Sequence, residues 1–142
     1  MLHKTADGLS DPTPSALRTG YEDRLRSTIT AVGTEVVAAE TDIEQERIAA
    51  ITAGESPALT VEEAAAILAL DEATPDAEAI VYELRDHLLM GMTTAVLDVD
   101  TIAANVEVDL TAQEIQQAIE GRTEMTLAQL AAIQSVIDGR DS

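Results

Sequence analysis

Glutamine and arginine side chains cluster on one segment, residues 112–122, and these side-chain types can read DNA bases. Gln113, Gln116 and Gln117 lie within about one helical turn, and Arg122 follows them. An amide can form two hydrogen bonds with the edge of adenine, and a guanidinium can bind guanine or a phosphate. If the chain binds DNA, we expect these four residues to make the contacts.

A second set of the same chemical type lies earlier in the chain, at Gln45 and Arg47. Carboxylates crowd it, at Asp42, Glu44, Glu46 and Glu55. The later set is also flanked by acids, at Asp109, Glu114 and Glu120, but its three amides make it the better candidate for base contacts. Exposed glutamines are usually part of a hydrated helix surface, and that is the alternative interpretation.

Other reactive side chains do not form a recognisable site in the sequence. His87 stands beside Asp86, but further ligands at helical spacing are absent, so we interpret it as a surface or partly packed histidine. The chain has no cysteine, no glycine-rich phosphate loop and no G-x-S-x-G motif. The sequence therefore predicts no catalytic residue, metal site, cofactor or small-molecule substrate, and the protein is not expected to be an enzyme.

The charge balance indicates an unusual environment. Asp and Glu number 27 against eight Lys and Arg, which gives a net charge of −19, and Lys4 is the sole lysine. This composition resembles that of cytoplasmic proteins from haloarchaea, in which dense carboxylates keep proteins hydrated while molar salt screens charge within about 3 Å. An acidic interaction protein from a low-salt organism is the alternative.

The chain carries no pattern typical of secretion or membrane insertion. His3, Lys4 and Asp7 precede no apolar run. The most apolar stretch, residues 88–97, is much shorter than the roughly 20 residues that span a bilayer. We therefore expect a cytoplasmic protein without a membrane contact.

Helix-start signals recur along the chain and predict an all-α fold. Thr13-Pro14 provides an N-cap followed by proline at the first helical position, and Asp76 can cap a longer helix that runs to about Val96. Thr34 is expected to cap a short helix after Gly33. Three capping boxes pair a threonine with an acid or amide three residues later: Thr60 with Glu63, Thr111 with Glu114, and Thr126 with Gln129.

An internal repeat organises these helices. The first copy has Ile48, Gly54, Thr60 and Ile67, and the second has Ile115, Gly121, Thr126 and Ile133. Because each copy follows a long helix, the sequence predicts a duplicated four-helix unit and about eight helices in all. The predicted boundaries are a tail at 1–12, a first unit at 13–70, a second unit at 76–138 packed with the first as one body, and a tail at 139–142. Chance similarity between alanine-rich helices is the alternative.

Each copy resembles the helix-turn-helix of Cro and Xre repressors. In the first copy the turn is Asp42-Ile43-Glu44 and the recognition helix is 45–53, followed by Gly54. In the second copy the turn is Asp109-Leu110-Thr111 and the recognition helix is 112–120, followed by Gly121. The whole chain also resembles small uncharacterised haloarchaeal proteins with a domain of unknown function. The first resemblance implies a helical arrangement and, through its family, binding to DNA.

Two functional hypotheses follow. The leading one is a regulatory protein of helix-turn-helix type that acts on DNA or on a DNA-bound partner. The other is an acidic protein-interaction or scaffold module that keeps the helix-turn-helix shape without binding DNA. The long helix at 76–96 is expected either to be a central pillar between the units or to present part of its surface for a homodimer.

Overall fold

The computed structural model describes residues 13–55, 57–71, 76–106 and 108–141. This part of the chain contains eight α-helices and no β-strand, so the predicted all-α fold is confirmed. The helices are α1 (Pro14–Val32), α2 (Thr34–Thr41), α3 (Gln45–Thr52), α4 (Val61–Leu68), α5 (Ala77–Ala95), α6 (Val99–Asn105), α7 (Ala112–Glu120) and α8 (Leu127–Asp141). The predicted tail at 1–12 lies outside the described residues, and α8 continues past residue 138.

Side-chain caps fix where most of these helices begin. Thr13 accepts from the amide of Ala16, and Asp76 accepts from that of Ala79. All three predicted capping boxes form: in each, the threonine oxygen accepts from an amide 3.1 Å away, while the acid or amide side chain accepts from the threonine amide. These bonds satisfy first-turn amides that have no partner within the helix.

Two local predictions were wrong. Thr34 does not cap α2, because it is the first residue of that helix, and Gly33 at φ +104° occupies the cap position without a side-chain bond. The four-residue register that joins Leu88, Met92 and Val96 in the sequence predicts that Val96 lies on the buried stripe of α5, but Val96 does not extend that stripe. It ends the helix in the left-handed conformation at φ +55° and points into solvent, since the chain must turn there towards α6.

The core is almost entirely aliphatic, as the composition predicts. Its aromatic member is Tyr21, which is fully buried, whereas Tyr82 is exposed. The buried face of α1 carries Leu17, Leu25 and Ile29 at helical spacing, and α8, α3 and α4 pack against this helix. Helix α5 packs in turn on α4 and α8. Small aliphatic side chains allow the close helix packing that this arrangement needs.

Two short backbone segments join the halves of the chain at the starts of α4 and α8. The amide of Val61 donates to the carbonyl of Met125 at 2.7 Å, and the amide of Leu127 donates to the carbonyl of Leu59 at 2.9 Å. These reciprocal bonds place Thr60 opposite Thr126 in antiparallel orientation. Helix α1 packs on α8, and α5 packs on both α4 and α8.

Helices α5 and α8 approach each other closely at Gly91. A methyl group built on this glycine would lie 2.5 Å from the Cγ2 atom of Ile137, which is fully buried. Gly91 is therefore needed for the approach of two helices and not for a turn.

Replacement of Gly91 by alanine should destabilise the protein although alanine favours helices. Alanine in place of glycine gains about 1 kcal/mol in a helix, but an extra methyl group in a packed core costs about 1–3 kcal/mol. We expect a net loss of about 1 kcal/mol in the free energy of unfolding, measured by denaturant titration at constant salt.

The matched control is Thr94→Ala on the exposed side of the same helix, which should be neutral or stabilising by about 0.5 kcal/mol. Equal stabilisation by both substitutions would show that α5 and α8 do not meet at Gly91.

Candidate nucleic-acid interface

The first candidate surface is built on a three-residue turn between α2 and α3. Asp42 adopts the left-handed conformation at φ +58°, and Ile43 is buried beneath the turn. The inner face of α3 then packs through Ile48 and Ile51, which leaves Gln45 exposed on the outer face. Helix α3 thus begins at Gln45, the residue at which the sequence predicts a helix after this turn.

Arg47 on this helix turns inward and holds α3 to α4. Its two terminal nitrogens lie 2.8 and 2.9 Å from the two carboxylate oxygens of Glu63, and one of them also donates to the carbonyl of Ala58. Glu63 at the same time accepts from the amide of Thr60 in the capping box. Arg47 therefore stabilises the junction between two helices, and a phosphate would have to compete with Glu63 for it.

The electrostatics of this pair agree with its geometry. Hydrogen bonding to Arg47 lowers the pKa of the Glu63 carboxyl below its usual value, and hydrogen bonding to Glu63 raises the pKa of Arg47. Each group stabilises the charged form of the other.

The second candidate surface is α7 with the residues that follow it. Ile115 and Ile119 bury the inner face, while Gln113 and Gln116 are exposed and Gln117 is half-buried. Gln117 lies at a cavity of about 170 Å³ between α7 and the start of α8. The three amides therefore do not share one environment, because only Gln113 and Gln116 lie on the open surface.

Glu120 binds both Gln116 and Arg122. The Gln116 amide donates to one carboxylate oxygen at 2.9 Å, and the Arg122 Nε lies 3.2 Å from the other. Around α7 the exposed carboxylates are Asp109, Glu114, Glu120 and Glu124. These four carboxylates outnumber the two arginines at this end of α7, Arg85 and Arg122.

Sequence reasoning missed the role of Arg85 on α5. Its guanidinium lies against Gly121 at the end of α7, where an added methyl group would come within 2.4 Å of its Cζ atom. Arg26 on α1 lies in the same way at the end of α3, where its Nε donates to the carbonyl of Ile51 at 2.9 Å. A cation at a helix C-terminus offsets the partial negative charge there, yet nothing in the local sequence of α1 or α5 indicates which helix end it would meet.

A buried polar chain is the second feature that the sequence did not reveal. The Tyr21 hydroxyl donates to the Oε1 atom of Gln134, and the Gln134 amide donates to Asp138 at 2.9 Å. His87 Nε2 lies 3.0 Å from the Oδ1 atom of Asp138. This network of hydrogen bonds connects α1, α8 and α5 through the core.

Burial, with a smaller contribution from the charge of Asp138, raises the pKa of Tyr21 well above its usual value, so the hydroxyl remains a neutral donor. Tyr21 and Gln134 are fully buried, and His87 at the other end is half-exposed. These hydrogen bonds fix the positions of α1, α8 and α5 relative to one another. A lone tyrosine in an apolar stripe and a glutamine in the apolar α8 pattern are the two sequence signals that could have predicted them.

Within the described ranges, the histidine, aspartate and glutamate side chains form no group of three or more placed to hold a metal ion. Among the helices of those ranges, none is both long and apolar enough to cross a membrane.

A protein-family model described as a family of unknown function, DUF5791, matches residues 17–140, which is most of the chain. Neither a curated protein nor a solved structure matches the chain.

The Tyr21–Gln134 hydrogen bond should be measurable by a double-mutant cycle. Tyr21→Phe leaves a buried amide oxygen without this donor, which should cost about 1–3 kcal/mol of unfolding free energy. In Tyr21→Phe/Gln134→Leu both ends are apolar, so the loss should be smaller than the sum of the two single losses by about 1 kcal/mol. Strictly additive losses would contradict the bond.

The Arg47–Glu63 pair should give stability that depends on pH. Because the folded-state pKa of Glu63 is lowered, its contribution is present above the pKa of an unfolded glutamate, about 4.3, and is lost as the pH falls through the folded value. Arg47→Gln should therefore reduce the unfolding free energy at neutral pH by roughly 1 kcal/mol, since the pair is partly exposed and screened.

The difference from wild type should shrink as the pH falls below about 4. Arg24→Gln removes the same charge from α1 outside this ion pair and serves as the control. An equal pH dependence in both variants would assign the effect to net charge and not to Glu63.

Proposed function

The chain therefore belongs to DUF5791, a family of unknown function, and we propose that it is a non-enzymatic protein-interaction module. In this proposal two helix-turn-helix-like units act as an acidic scaffold, and their former recognition surfaces do not bind DNA.

An origin by duplication is part of the proposal. Helices α1 and α5 both have 19 residues, and each is followed by three shorter helices with a glycine at positive φ after the second of them, Gly54 or Gly121. The reciprocal bonds at Thr60 and Thr126 join equivalent positions of the two predicted copies. Two fused copies related by an approximate two-fold axis account for this correspondence.

The observation that carries the proposal is the pairing of the cations at both recognition-like helices. Arg47 is bound to Glu63, and Arg122 is bound to Glu120. Affinity for DNA rests largely on cations that neutralise phosphates, and each such contact requires a cation that is free to leave its present partner. A phosphate approaching either helix would meet a neutralised arginine and additional carboxylates.

The overall charge supports the same proposal and a salt-rich cytoplasm as its setting. At −19 the protein repels nucleic acid at low ionic strength. Under haloarchaeal conditions that repulsion would be screened within about 3 Å, and so would most of the attraction on which phosphate binding depends. Contacts between apolar surfaces persist in such salt, which favours a protein partner.

A regulator that acts on DNA or on a DNA-bound protein is the second candidate, because two features at α7 favour it. Gln113 is exposed, and Arg85 adds a second guanidinium near Arg122 at the end of the helix. A groove contact there would require Glu120 to release both Gln116 and Arg122.

The two candidates differ in a DNA-binding titration. We expect that the protein selects no sequence from a randomised duplex library. We also expect only weak changes in the fluorescence anisotropy of a labelled mixed-sequence duplex. Both results should hold at KCl concentrations from 0.1 M to several molar. Arg122→Ala and Gln116→Ala should behave as wild type does, because neither side chain contacts DNA in this proposal. Arg24→Ala provides the control for loss of a charge elsewhere.

Enrichment of one duplex sequence, with affinity reduced about 10-fold or more by Gln116→Ala or Arg122→Ala and unaffected by Arg24→Ala, would overturn the proposal. That result would establish α7 as a recognition helix.

A further inference from the structure

The cavity between α7 and the start of α8 lies at the position where the first half of the chain holds Arg47. Arg47 is the third residue of α3, and Glu114 is the third residue of α7. The partner of Arg47 is Glu63, the third residue of α4, and Gln129 is the third residue of α8. Glu114 and Gln129 both line the cavity, which has a volume of about 170 Å³.

Other lining residues follow the same correspondence. Arg47 also donates to the carbonyl of Ala58, two residues before the threonine that caps α4, and Glu124 holds that position before α8. Ile67 and Ile133 are the seventh residues of α4 and α8, and both are fully buried. By this correspondence, an arginine side chain occupies in the first half the space that is a cavity in the second.

The second half has acids where the first half has its cation. Glu114 stands in the place of the arginine, and the exposed Glu124 adds another carboxylate to a lining that includes no Lys, Arg or His. Arg122 is close in sequence, but it binds Glu120 and is not among the lining residues. The cavity therefore carries two negative charges without a cation of its own.

We propose that this cavity binds the guanidinium of an arginine side chain that a partner protein contributes, with Glu114 and Glu124 as its anionic partners. The inference rests on the proposed role as an interaction module and specifies the chemistry of the partner.

The size of the cavity and its acceptors select an arginine over other cations. A cavity of about 150 Å³ admits a six-atom ring such as benzene, and a guanidinium with its two nearest methylene groups has the same number of heavy atoms. Carboxylate or amide oxygens of Glu114, Gln117, Glu124 and Gln129 are present in the lining. A planar group with five donors can use several such acceptors at once, whereas an ammonium or a potassium ion acts as a point charge.

Glu114 can accept a guanidinium without giving up its helix cap. One of its oxygens accepts from the amide of Thr111. In the first half, Glu63 accepts from the amide of Thr60 and from Arg47 through the same oxygen. A capping carboxylate in this fold therefore binds a guanidinium and an amide together.

The location of the site suits an arginine on a protein better than the free amino acid. The carboxylate of free arginine would approach the exposed Glu124, and like charges repel. In a peptide chain that carboxylate is replaced by a neutral amide. Salt weakens a partly enclosed ion pair less than an exposed one, so binding should persist in molar KCl.

Titration of the full chain with a short peptide tests the site. Acetyl-Ala-Arg-Ala-amide should give saturable shifts of the side-chain amide signals of Gln117 and Gln129 in ¹H–¹⁵N NMR spectra at 0.2 M and 2 M KCl, with a dissociation constant in the millimolar range. The peptide with lysine in place of arginine has the same charge and should bind at least about 5-fold more weakly, as should free L-arginine.

Removal of the two carboxylates should weaken the arginine peptide without disturbing the fold. Glu114→Gln keeps a capping side chain of the kind that Gln129 provides in α8. Together with Glu124→Gln it should raise the dissociation constant about 10-fold. Glu46→Gln removes an exposed carboxylate from α3 and should change the constant less than about 2-fold.

A second variant fills the cavity from within the chain. Glu114→Arg with Gln129→Glu restores the two side chains that the first half carries at these positions, so it should abolish peptide binding and raise the Tm by about 2 °C. Gln113→Arg adds a guanidinium to the exposed side of α7 and should leave peptide binding intact.

The absence of saturable shifts would overturn the inference, and so would equal affinity for the arginine and lysine peptides. Peptide binding that survives in the filled variant, or that the loss of Glu114 and Glu124 does not weaken, would place the peptide elsewhere. Free L-arginine that binds as tightly as the peptide would assign the cavity to a small molecule. Each of these results leaves the proposed absence of DNA binding untouched, whereas sequence-specific DNA binding would remove the proposed function whatever the peptide does.

Discussion

The reciprocal backbone pairing at Thr60 and Thr126 is the constraint on which the rest of the structure depends. Its hydrogen bonds lie among buried side chains, those of Leu59, Val61, Met125 and Leu127, where an unpaired amide or carbonyl would be costly. The same two threonines cap α4 and α8. One short pairing therefore sets both where these helices begin and how they lie together, and the long helices α1 and α5 then pack across the two halves.

Packing of aliphatic side chains stabilises the core but is not directional. The positions of the helices in this protein therefore depend strongly on polar contacts. Arg47 joins α3 to the start of α4, Arg26 and Arg85 lie at the ends of α3 and α7, and the chain from Tyr21 through Gln134 crosses the core. The sequence has eight basic side chains against 27 acidic ones. Each arginine engaged within the fold is one fewer for an external phosphate, and this links the stability of the protein to the proposed loss of DNA binding.

The two long helices differ in the residues that they expose. Their inner faces are alike in layout, but α5 exposes Leu89 and Met90. When the two 19-residue helices are aligned, α1 has at these positions Arg26, which donates to the carbonyl of Ile51, and the exposed Ser27. Packing restricts which residues can occupy the inner faces, because a change of one methylene group in a close-packed core affects stability. Outer faces are free of that restriction, so they are where two similar units can acquire separate roles.

Local sequence determined the helices, because the interactions that begin and end them act within three or four residues. Thr111 with Glu114 predicts the start of α7, and Gly121 at φ +79° provides its end. The spacing of Leu17, Tyr21 and Leu25 likewise predicts the buried face of α1. Of the candidate site, the sequence predicted which side chains lie on the recognition-like helices.

Only the tertiary structure decided what those side chains bind. Arg47 meets Glu63 across 16 residues, and Tyr21 meets Gln134 across 113. The local sequence does not distinguish an exposed arginine from one in an ion pair. The partner of an arginine depends on which helices, distant in the sequence, pack together. For the same reason the exposure of Leu89 and Met90 follows from which side of α5 the rest of the molecule covers.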